Sequence, residues 1–211
     1  MTKNLDNDGL RSIVENYDIF YIDLWGVVHN GITLHKNAIE ALDEITKANK
    51  DYVLLTNAPR PNKVVKTILE KMGMSKEIRD KVYSSGEASL SYLKKNYSSK
   101  SFYHIGPTRD FDLFSDFKKN KSKDIKDSQY LLCTGLFEEQ AEDLNYFKDL
   151  LKEHINKIMI CTNPDLIVDK GNRRELCAGS VALVFEKMGG EVIYFGKPFP
   201  EVYKQAINNE G

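Results

Sequence analysis

The chain has 211 residues, 41% of them hydrophobic, so it is long enough to bury a sizeable core. Thirty basic residues nearly balance 31 acidic ones and leave a net charge of −1, which argues against broad nucleic-acid binding because such binding needs a basic face. No apolar run approaches the ~20 residues of a membrane helix, and the cysteines are too widely spaced for a zinc site or a disulfide framework. We therefore expect a cytoplasmic enzyme or binding protein with neither a membrane nor a nucleic-acid partner.

Short apolar runs rich in Ile, Val, Tyr and Phe predict buried strands, because each run ends in small or polar residues. In chain order they are DIFYIDLWG, DYVLLTNAP, KVYSSGE, SFYHIGP, YLLCTGLF, KIMICTNPD and EVIYFGKPF. Apolar stripes at helical spacing lie between them, in residues 62–73, 144–151 and 181–188. This alternation of strands and helices predicts a parallel sheet covered by helices.

Polar side chains follow three of the predicted strands. Asp23 ends the first run, Thr56 and Asn57 end the second, and Lys197 follows the last. In sheets of this kind ligands bind beyond the carboxyl ends of the strands. Taken alone, each residue is explained by a role in a turn or a helix cap. The three segments in this order indicate a functional site more specifically. We expect the strand before Asp23 to be central and these side chains to converge in one small pocket.

Together the three segments resemble the haloacid dehalogenase superfamily of phosphohydrolases, specifically its class IIA, the NagD-like and nitrophenylphosphatase-like branch. The resemblance extends to TNPD at residues 162–165 and to LCAGSVALVFEKMGG before VIYFGKP. It implies an α/β fold with a Rossmann-like, doubly wound parallel sheet as core and an inserted α/β cap. We expect residues 1–87 and 179–211 to form the core and residues 88–178 to form the cap, which would exclude water and supply specificity.

The resemblance also implies roles for individual residues. It makes Asp23 the nucleophile that attacks phosphorus and Lys197 the cation that neutralises both nucleophile and phosphate. Thr56 would hold a phosphate oxygen through its hydroxyl group, and Gly26 would let the backbone approach the phosphate closely. Asn57 would either donate a similar hydrogen bond or shape the turn.

Trp25 is a departure from the pattern of the family, where most phosphatases have a second aspartate that protonates the leaving group. An indole cannot cycle a proton, and loss of a general acid/base typically costs ~10²–10⁴ in rate. The main-chain carbonyl at this position still provides a metal ligand, so Asp23 and Trp25 are expected to hold Mg²⁺. The motif DxWGV is typical of a subgroup within class IIA. His29, six residues after Asp23, is either a substitute proton carrier or a packing histidine.

A second departure concerns the acidic loop that forms the fourth motif of the family, one helix and one strand beyond the lysine. Residues 1–211 end before such a loop, so the C-terminal part of the core and two metal ligands are expected to be missing. The chain is then either a piece of a longer protein or a truncated form, and by itself should bind Mg²⁺ weakly. Three further candidates for substrate contacts are Arg60, Asn163 and Asp165.

The resemblance predicts a Mg²⁺-dependent hydrolase of small phosphate esters that acts through an aspartyl-phosphate intermediate. Sugar phosphates and nucleotides are the substrate classes considered. The alternative is a catalytically silent protein that binds a phosphate ligand, and Trp25 and the missing fourth motif favour it. The expected partner is a small phosphorylated molecule, and a homodimer is one option for the assembly.

Overall fold

The computed structural model of the chain describes residues 9–170 and 173–208. Its strands are β1 Ile19–Ile22, β2 Asp51–Thr56, β3 Val82–Ser84, β4 Phe102–Ile105, β5 Tyr130–Cys133, β6 Ile158–Cys161, β7 Ile167–Lys170, β8 Arg173–Leu176 and β9 Glu191–Tyr194. Its α-helices are α1 Lys36–Lys47, α2 Asn62–Lys71, α3 Lys76–Arg79, α4 Ser85–Asn96, α5 Leu144–Leu151, α6 Ala178–Lys187 and α7 Pro200–Asn208. A 3₁₀ segment, Thr108–Asn120, lies between β4 and β5. None of the described helices is long and apolar enough to cross a membrane.

The strands form two parallel sheets and one antiparallel hairpin. The first sheet has the order β1-β2-β3, and the second has the order β4-β5-β6-β9. Every apolar run that predicted a strand contributes one of these parallel strands, and helices connect most of them. The predicted α/β class with parallel sheets is therefore confirmed.

The strand that precedes Asp23 lies at an edge of its sheet in the described part of the chain. β1 pairs with β2 alone, and its four residues are half-buried. β2, which has a neighbour on each side, carries the fully buried Leu54 and Leu55. The expectation of a central β1 is wrong for these residues, because no described strand occupies its second edge.

The second sheet extends beyond the predicted cap boundary at residue 178. β9 lies in the segment assigned to the core, yet it pairs with β6 in register, from Ile158 opposite Glu191 to Cys161 opposite Tyr194. The half-buried side chains of Val192 and Tyr194 pack against the buried cluster that contains Phe147. β9 therefore belongs to the second sheet, since its apolar residues pack there.

A shared hydrophobic cluster joins the two sheets. Leu55 and Tyr83 of the first sheet belong to the same buried cluster as Tyr130 and Leu132 of the second. Burying one such side chain contributes about 1.5–3 kcal/mol, so this cluster fixes how the sheets lie against each other. It consequently also determines which strand ends come together.

The hairpin of β7 and β8 has no counterpart among the predicted strands. Its pairing is antiparallel, from Ile167 opposite Leu176 to Asp169 opposite Arg174. The sequence LIVDKGNRREL lacks a sustained alternation of apolar and polar residues, so the usual strand signal is weak there. The hairpin lies between β6 and α6, and its first strand begins two residues after Asp165.

The glycine at the start of α4 provides a test of this packing. A Cβ atom on Gly86 would lie 2.2 Å from the backbone nitrogen of Arg60 and 2.4 Å from its carbonyl oxygen. We therefore expect Gly86→Ala to lower the free energy of unfolding by about 1–3 kcal/mol. Denaturant titration measures this loss. The control Ser91→Ala, at an exposed position of α4, should change it by less than about 0.5 kcal/mol. Equal stability of the two variants would contradict the close packing.

Candidate active site

Asp23 and Lys197 meet although 174 positions separate them in sequence. Asp23 directly follows β1, and Lys197 lies three residues after β9. The Nζ atom of Lys197 forms an ion pair with Oδ1 of Asp23 and donates a second hydrogen bond, of 2.7 Å, to the carbonyl of Leu55. The side chain of Asp23 remains 42% exposed, so a ligand can reach its carboxylate.

Thr56 is the last residue of β2 and lies at the same end of the sheet. The residue is buried, and its Oγ1 accepts a hydrogen bond of 3.2 Å from the backbone N–H of Ala58. Accepting that bond leaves the hydroxyl hydrogen free for donation. Thr56 can therefore orient its hydroxyl toward an acceptor while the turn holds its oxygen.

The side-chain amide of Asn57 holds the backbone of Lys197. Its Oδ1 accepts the N–H of Lys197 at 2.7 Å, and its Nδ2 donates to the carbonyl of the same residue at 3.0 Å. Nδ2 also donates to Oδ1 of Asp165 at 2.8 Å. Both amide hydrogens thus have partners, which favours the interpretation that Asn57 shapes the site over direct donation to phosphate.

Gly196 makes this close approach possible. Its φ of +122° favours glycine, and a Cβ atom there would lie 2.6 Å from Oδ1 of Asn57 and 2.7 Å from Cδ of Pro164. A side chain at this position would therefore push Asn57 away from Lys197. The peptide bond that follows, between Lys197 and Pro198, is cis.

Asp165 brings a second carboxylate close to the ion pair. Desolvation raises its pKa above the usual range, its bond from Asn57 and the charge of Lys197 lower it, and the charge of Asp23 raises it. The backbone N–H of Asp165 donates to Oδ1 of Asn163 at 3.0 Å. The structure therefore places Asp165 beside the predicted site, with Asn163 shaping the turn before it.

Trp25 links the loop after Asp23 to the hairpin. Its indole Nε1 donates a hydrogen bond of 3.0 Å to the main-chain carbonyl of Asp169 in β7. The indole ring packs edge-on against His29, with centroids 5.5 Å apart, and a Cβ atom on Gly31 would lie 2.7 Å from Cη2 of Trp25. The sequence does not predict this contact, because a main-chain carbonyl can accept a hydrogen bond at any residue type.

His29 is buried within the loop that follows Asp23. Its Nδ1 accepts the N–H of Gly31 at 3.0 Å, and the residue is 7% exposed. Burial lowers its pKa, the charge of Asp23 raises it and His35 lowers it. These contacts give His29 a packing role in the loop, whereas its role as a proton carrier stays a prediction.

Gly26 has space beside it for a ligand. Its φ of +78° favours glycine, and no heavy atom lies within 4 Å of the position that a Cβ atom would take. Its N–H donates to the carbonyl of His29 at 2.8 Å, so this particular donor is already used within the loop. The open space beside Gly26 allows the predicted close approach of the backbone to a phosphate. The N–H of Gly26 does not donate to that phosphate, because it already donates to His29.

The guanidinium group of Arg60 forms an ion pair with a buried carboxylate. Its Nε lies 3.5 Å from Oδ1 of Asp110, whose side chain is 4% exposed. Desolvation raises the pKa of Asp110, while Arg60 and Arg109 lower it. Because Asp110 offsets the charge of Arg60, the structure favours a structural role for this arginine over the predicted contact with a substrate.

The carboxylate of Asp23 and the main-chain carbonyl of Trp25 are the ligands that the sequence predicts for Mg²⁺. Among the described residues, no group of three or more His, Cys, Asp or Glu side chains could hold a metal ion. Mg²⁺ usually keeps several waters and needs only one or two carboxylates, so one carboxylate and one carbonyl form a minimal set that fits it.

The comparison with known proteins agrees with this geometry. Residues 20–118, which include Asp23 and Thr56, match the model of the haloacid dehalogenase-like hydrolase family. A hydrolase of the haloacid dehalogenase-like family from Brucella suis shares 28% identity and a TM-score of 0.84, over 99% of this chain and 77% of that chain. The chain is therefore similar to haloacid dehalogenase-like hydrolases.

Two more distant structures share the fold of this chain. A 4-nitrophenylphosphatase from Thermotoga maritima has 21% identity and a TM-score of 0.69, over 93% of this chain and 74% of that one. A possible sugar phosphatase from Cytophaga hutchinsonii has 22% identity and a TM-score of 0.73, over 94% of this chain and 73% of that one. The chain has no significant match among proteins whose functions have been curated.

The first test of the site concerns Asn57. Asn57→Ala would leave the N–H and the carbonyl of Lys197, and one oxygen of Asp165, without this partner. We expect the free energy of unfolding to fall by about 1–3 kcal/mol, because part-buried polar groups lose their hydrogen bonds. Chemical denaturation measures the loss. The matched control is Asn145→Ala, at an exposed position of α5, which should stay within about 0.5 kcal/mol of wild type; a similar small change for Asn57→Ala would argue against its bridging role.

The second test uses the pH dependence that Asp110 imposes. Well below the usual carboxyl value, Asp110 is protonated in both the folded and the unfolded chain. As the pH rises from that value to the raised pKa of the folded state, the unfolded chain ionises first, so the contribution of Asp110 to the free energy of unfolding falls. Asp110→Asn removes this titration while keeping an acceptor oxygen. The free energy of unfolding of the variant minus that of wild type should therefore increase between about pH 4 and pH 7.

Urea unfolding at several pH values measures this difference. The control Asp112→Asn removes one negative charge at an exposed position of the same segment. The prediction for Asp110 fails when both variants show the same pH-dependent difference from wild type, or when the difference for Asp110→Asn is constant.

Proposed function

We propose that this protein is a haloacid dehalogenase-like hydrolase that cleaves small phosphate monoesters, with Asp23 as the nucleophile. The observation that carries the proposal is the ion pair between Asp23 and Lys197, formed next to the buried Thr56. A carboxylate, an ammonium group and a hydroxyl donor at the ends of parallel strands suit phosphoryl transfer, which depends mainly on positioning and charge stabilisation. The names of the similar structures, a 4-nitrophenylphosphatase and a possible sugar phosphatase, support the same reaction class.

In the proposed reaction a carboxylate oxygen of Asp23 forms a bond to phosphorus while the bond to the leaving-group oxygen breaks. Water then attacks the aspartyl phosphate, releases inorganic phosphate and regenerates Asp23. Lys197 lies within reach of both the nucleophile and the charge that develops on the phosphoryl group, and Thr56 donates to one of its oxygens. When bound by Asp23 and the carbonyl of Trp25, Mg²⁺ would neutralise further charge on the phosphoryl oxygens.

The position of Lys197 depends on Asn57 in this proposal. The ammonium group lies at the end of a long side chain with many rotamers, so a fixed backbone restricts where it can reach. Asn57 fixes that backbone from both sides, through the N–H and the carbonyl. We therefore assign Asn57 to the positioning of Lys197.

Trp25 limits the range of substrates, because its indole cannot protonate a leaving group. Leaving groups that need little protonation, such as nitrophenolate or a carboxylate, should depart readily, whereas alkyl and sugar alkoxides should depart slowly. We propose on this basis that the chain belongs to the class IIA subgroup with tryptophan at this position. Sugar phosphates and nucleotides remain candidate physiological substrates.

The kinetic test compares nitrophenyl phosphate with an alkyl phosphate on a purified full-length form in the presence of Mg²⁺. The alkyl ester should be slower by up to about 10²–10⁴, the contribution expected from one acid/base group. Trp25→Asp should narrow the ratio between the two rates, and this ratio is the quantity to compare because the substitution also removes the indole contact with Asp169. Asp23→Asn should abolish turnover of both esters, since an amide is not a competent nucleophile here.

The other outcomes are informative as well. Equal wild-type rates on the two esters would mean that another group supplies the proton, with His29 as the first candidate for mutation. Absence of turnover in every form would overturn the proposed hydrolysis and favour the alternative, a silent protein that binds a phosphate ligand.

A further inference from the structure

The carboxylate of Asp165 joins the segment after β6 to the turn after β2. Its Oδ1 accepts a hydrogen bond of 2.8 Å from Nδ2 of Asn57, which lies 108 positions earlier in the sequence. The same amide holds Lys197, after β9, by its N–H at 2.7 Å and by its carbonyl at 3.0 Å. Because β6 and β9 are neighbours in the second sheet, the amide of Asn57 bonds to the segments that follow two adjacent strands.

We propose that Asp165 is a positioning residue for Lys197 and that it acts through the side-chain amide of Asn57. Its carboxylate fixes the orientation of the amide, and the amide fixes the backbone from which the ammonium group extends. The proposal rests on the proposed function, because the arrangement serves to hold this ammonium group at Asp23 during phosphoryl transfer. It differs from the direct contact with substrate that the sequence predicts for Asp165.

The chemistry of the carboxylate selects one orientation of the amide. An ionised carboxylate has only acceptors, whereas the amide of Asn57 has an acceptor at one end and two donors at the other. If these two ends were exchanged, the oxygen would face the carboxylate and the carbonyl of Lys197, and the nitrogen would face the N–H of Lys197. Each hydrogen bond would become a contact between like groups. Asp165 therefore stabilises the orientation that holds both polar groups of the Lys197 backbone.

The backbone of Asp165 is itself fixed by the start of α6. Its carbonyl accepts the N–H of Gly179 at 3.1 Å, and its own N–H donates to Oδ1 of Asn163 at 3.0 Å. A Cβ atom on Gly179 would lie 2.6 Å from the carbonyl oxygen of Asp165 and 2.2 Å from that of Pro164. The segment therefore packs directly against the helix, which gives the carboxylate a fixed point of attachment.

An alternative role for Asp165 is a direct ion pair with the ammonium group of Lys197. The hydrogen bonds of that group go to Oδ1 of Asp23 and to the carbonyl of Leu55. The carboxylate of Asp165 bonds to the amide of Asn57 instead. The geometry therefore assigns Asp165 to the backbone of Lys197 and leaves the ammonium group to the nucleophile.

Loss of the Asp165 carboxylate should affect the chemical step more than substrate binding. Lys197 counters charge that develops as the leaving group departs, so a less well-placed ammonium group weakens the transition state more than the bound substrate. One hydrogen bond of typical strength changes an equilibrium by about fivefold. We therefore expect kcat for nitrophenyl phosphate to fall by about that factor in Asp165→Ala, with a smaller change in KM. A direct contact between Asp165 and the substrate would change mainly KM.

The experiment compares wild type, Asp165→Ala and Asp165→Asn in a purified full-length form, by amide hydrogen exchange and by steady-state kinetics. Asp165 is exposed, so its truncation leaves no cavity in the core. The backbone N–H of Lys197 should exchange about fivefold faster in Asp165→Ala, because Asn57 loses a partner that orients it. Asp165→Asn keeps an acceptor oxygen for Nδ2 and should stay within about twofold of wild type. The matched control is Asp149→Ala, which removes a 75% exposed carboxylate of α5 and should leave exchange at Lys197 unchanged.

Four results would overturn the proposal. The first is unchanged exchange at Lys197 in Asp165→Ala. The second is equally faster exchange in Asp165→Asn, which would assign the effect to the charge of Asp165 and not to its acceptor oxygen. The third is faster exchange throughout β6 and β9, which would make Asp165 a general structural residue. The fourth is an effect on KM alone in the active protein.

Hydrogen exchange at Lys197 needs no turnover, so it separates this proposal from the proposed function. An inactive wild-type protein would count against the proposed hydrolysis alone. Exchange at Lys197 in the two variants would then still decide whether Asp165 positions that residue through Asn57.

Discussion

The side-chain amide of Asn57 is the interaction on which the site depends. It joins the turn after β2, in the first sheet, to the backbone of Lys197 after β9, in the second sheet. Without it, the ammonium group would extend from a segment that belongs to the other sheet, and only its ion pair with Asp23 and its bond to the carbonyl of Leu55 would hold it at the site. Disrupting a part-buried amide whose oxygen and nitrogen both have partners costs free energy, so Asn57 links the two sheets firmly.

One ammonium group and two carboxylates lie around this junction. Lys197 forms an ion pair with Asp23. Desolvation raises the pKa of Asp165, and the charge of Lys197 lowers it less strongly. Arg60 contributes less than its position suggests, because Asp110 already offsets its charge.

Strand-end reasoning predicted that Asp23 and Lys197 meet and that Thr56 ends its strand on the same side of the first sheet as Asp23. Lys197 follows a strand of the second sheet, so the edge of a single sheet does not explain its position. Local periodicity likewise predicted the parallel strands. It did not predict that β9 pairs with β6, because sheet membership depends on long-range packing that a short apolar run does not encode. Nor could it predict the bond from Trp25 to Asp169, whose acceptor is a backbone carbonyl 144 positions away in a hairpin of weak strand signal.

The place of Trp25 has a spectroscopic consequence. It is the only tryptophan among the 211 residues, so all indole fluorescence of the protein comes from one side chain, two positions from Asp23, the proposed nucleophile. The ring is 38% exposed and its N–H is bonded to β7. Emission colour and quenching by small solutes depend on the hydration and hydrogen bonding of an indole. The intrinsic fluorescence of Trp25 therefore reports on the hydration and hydrogen bonding beside the site without any added label.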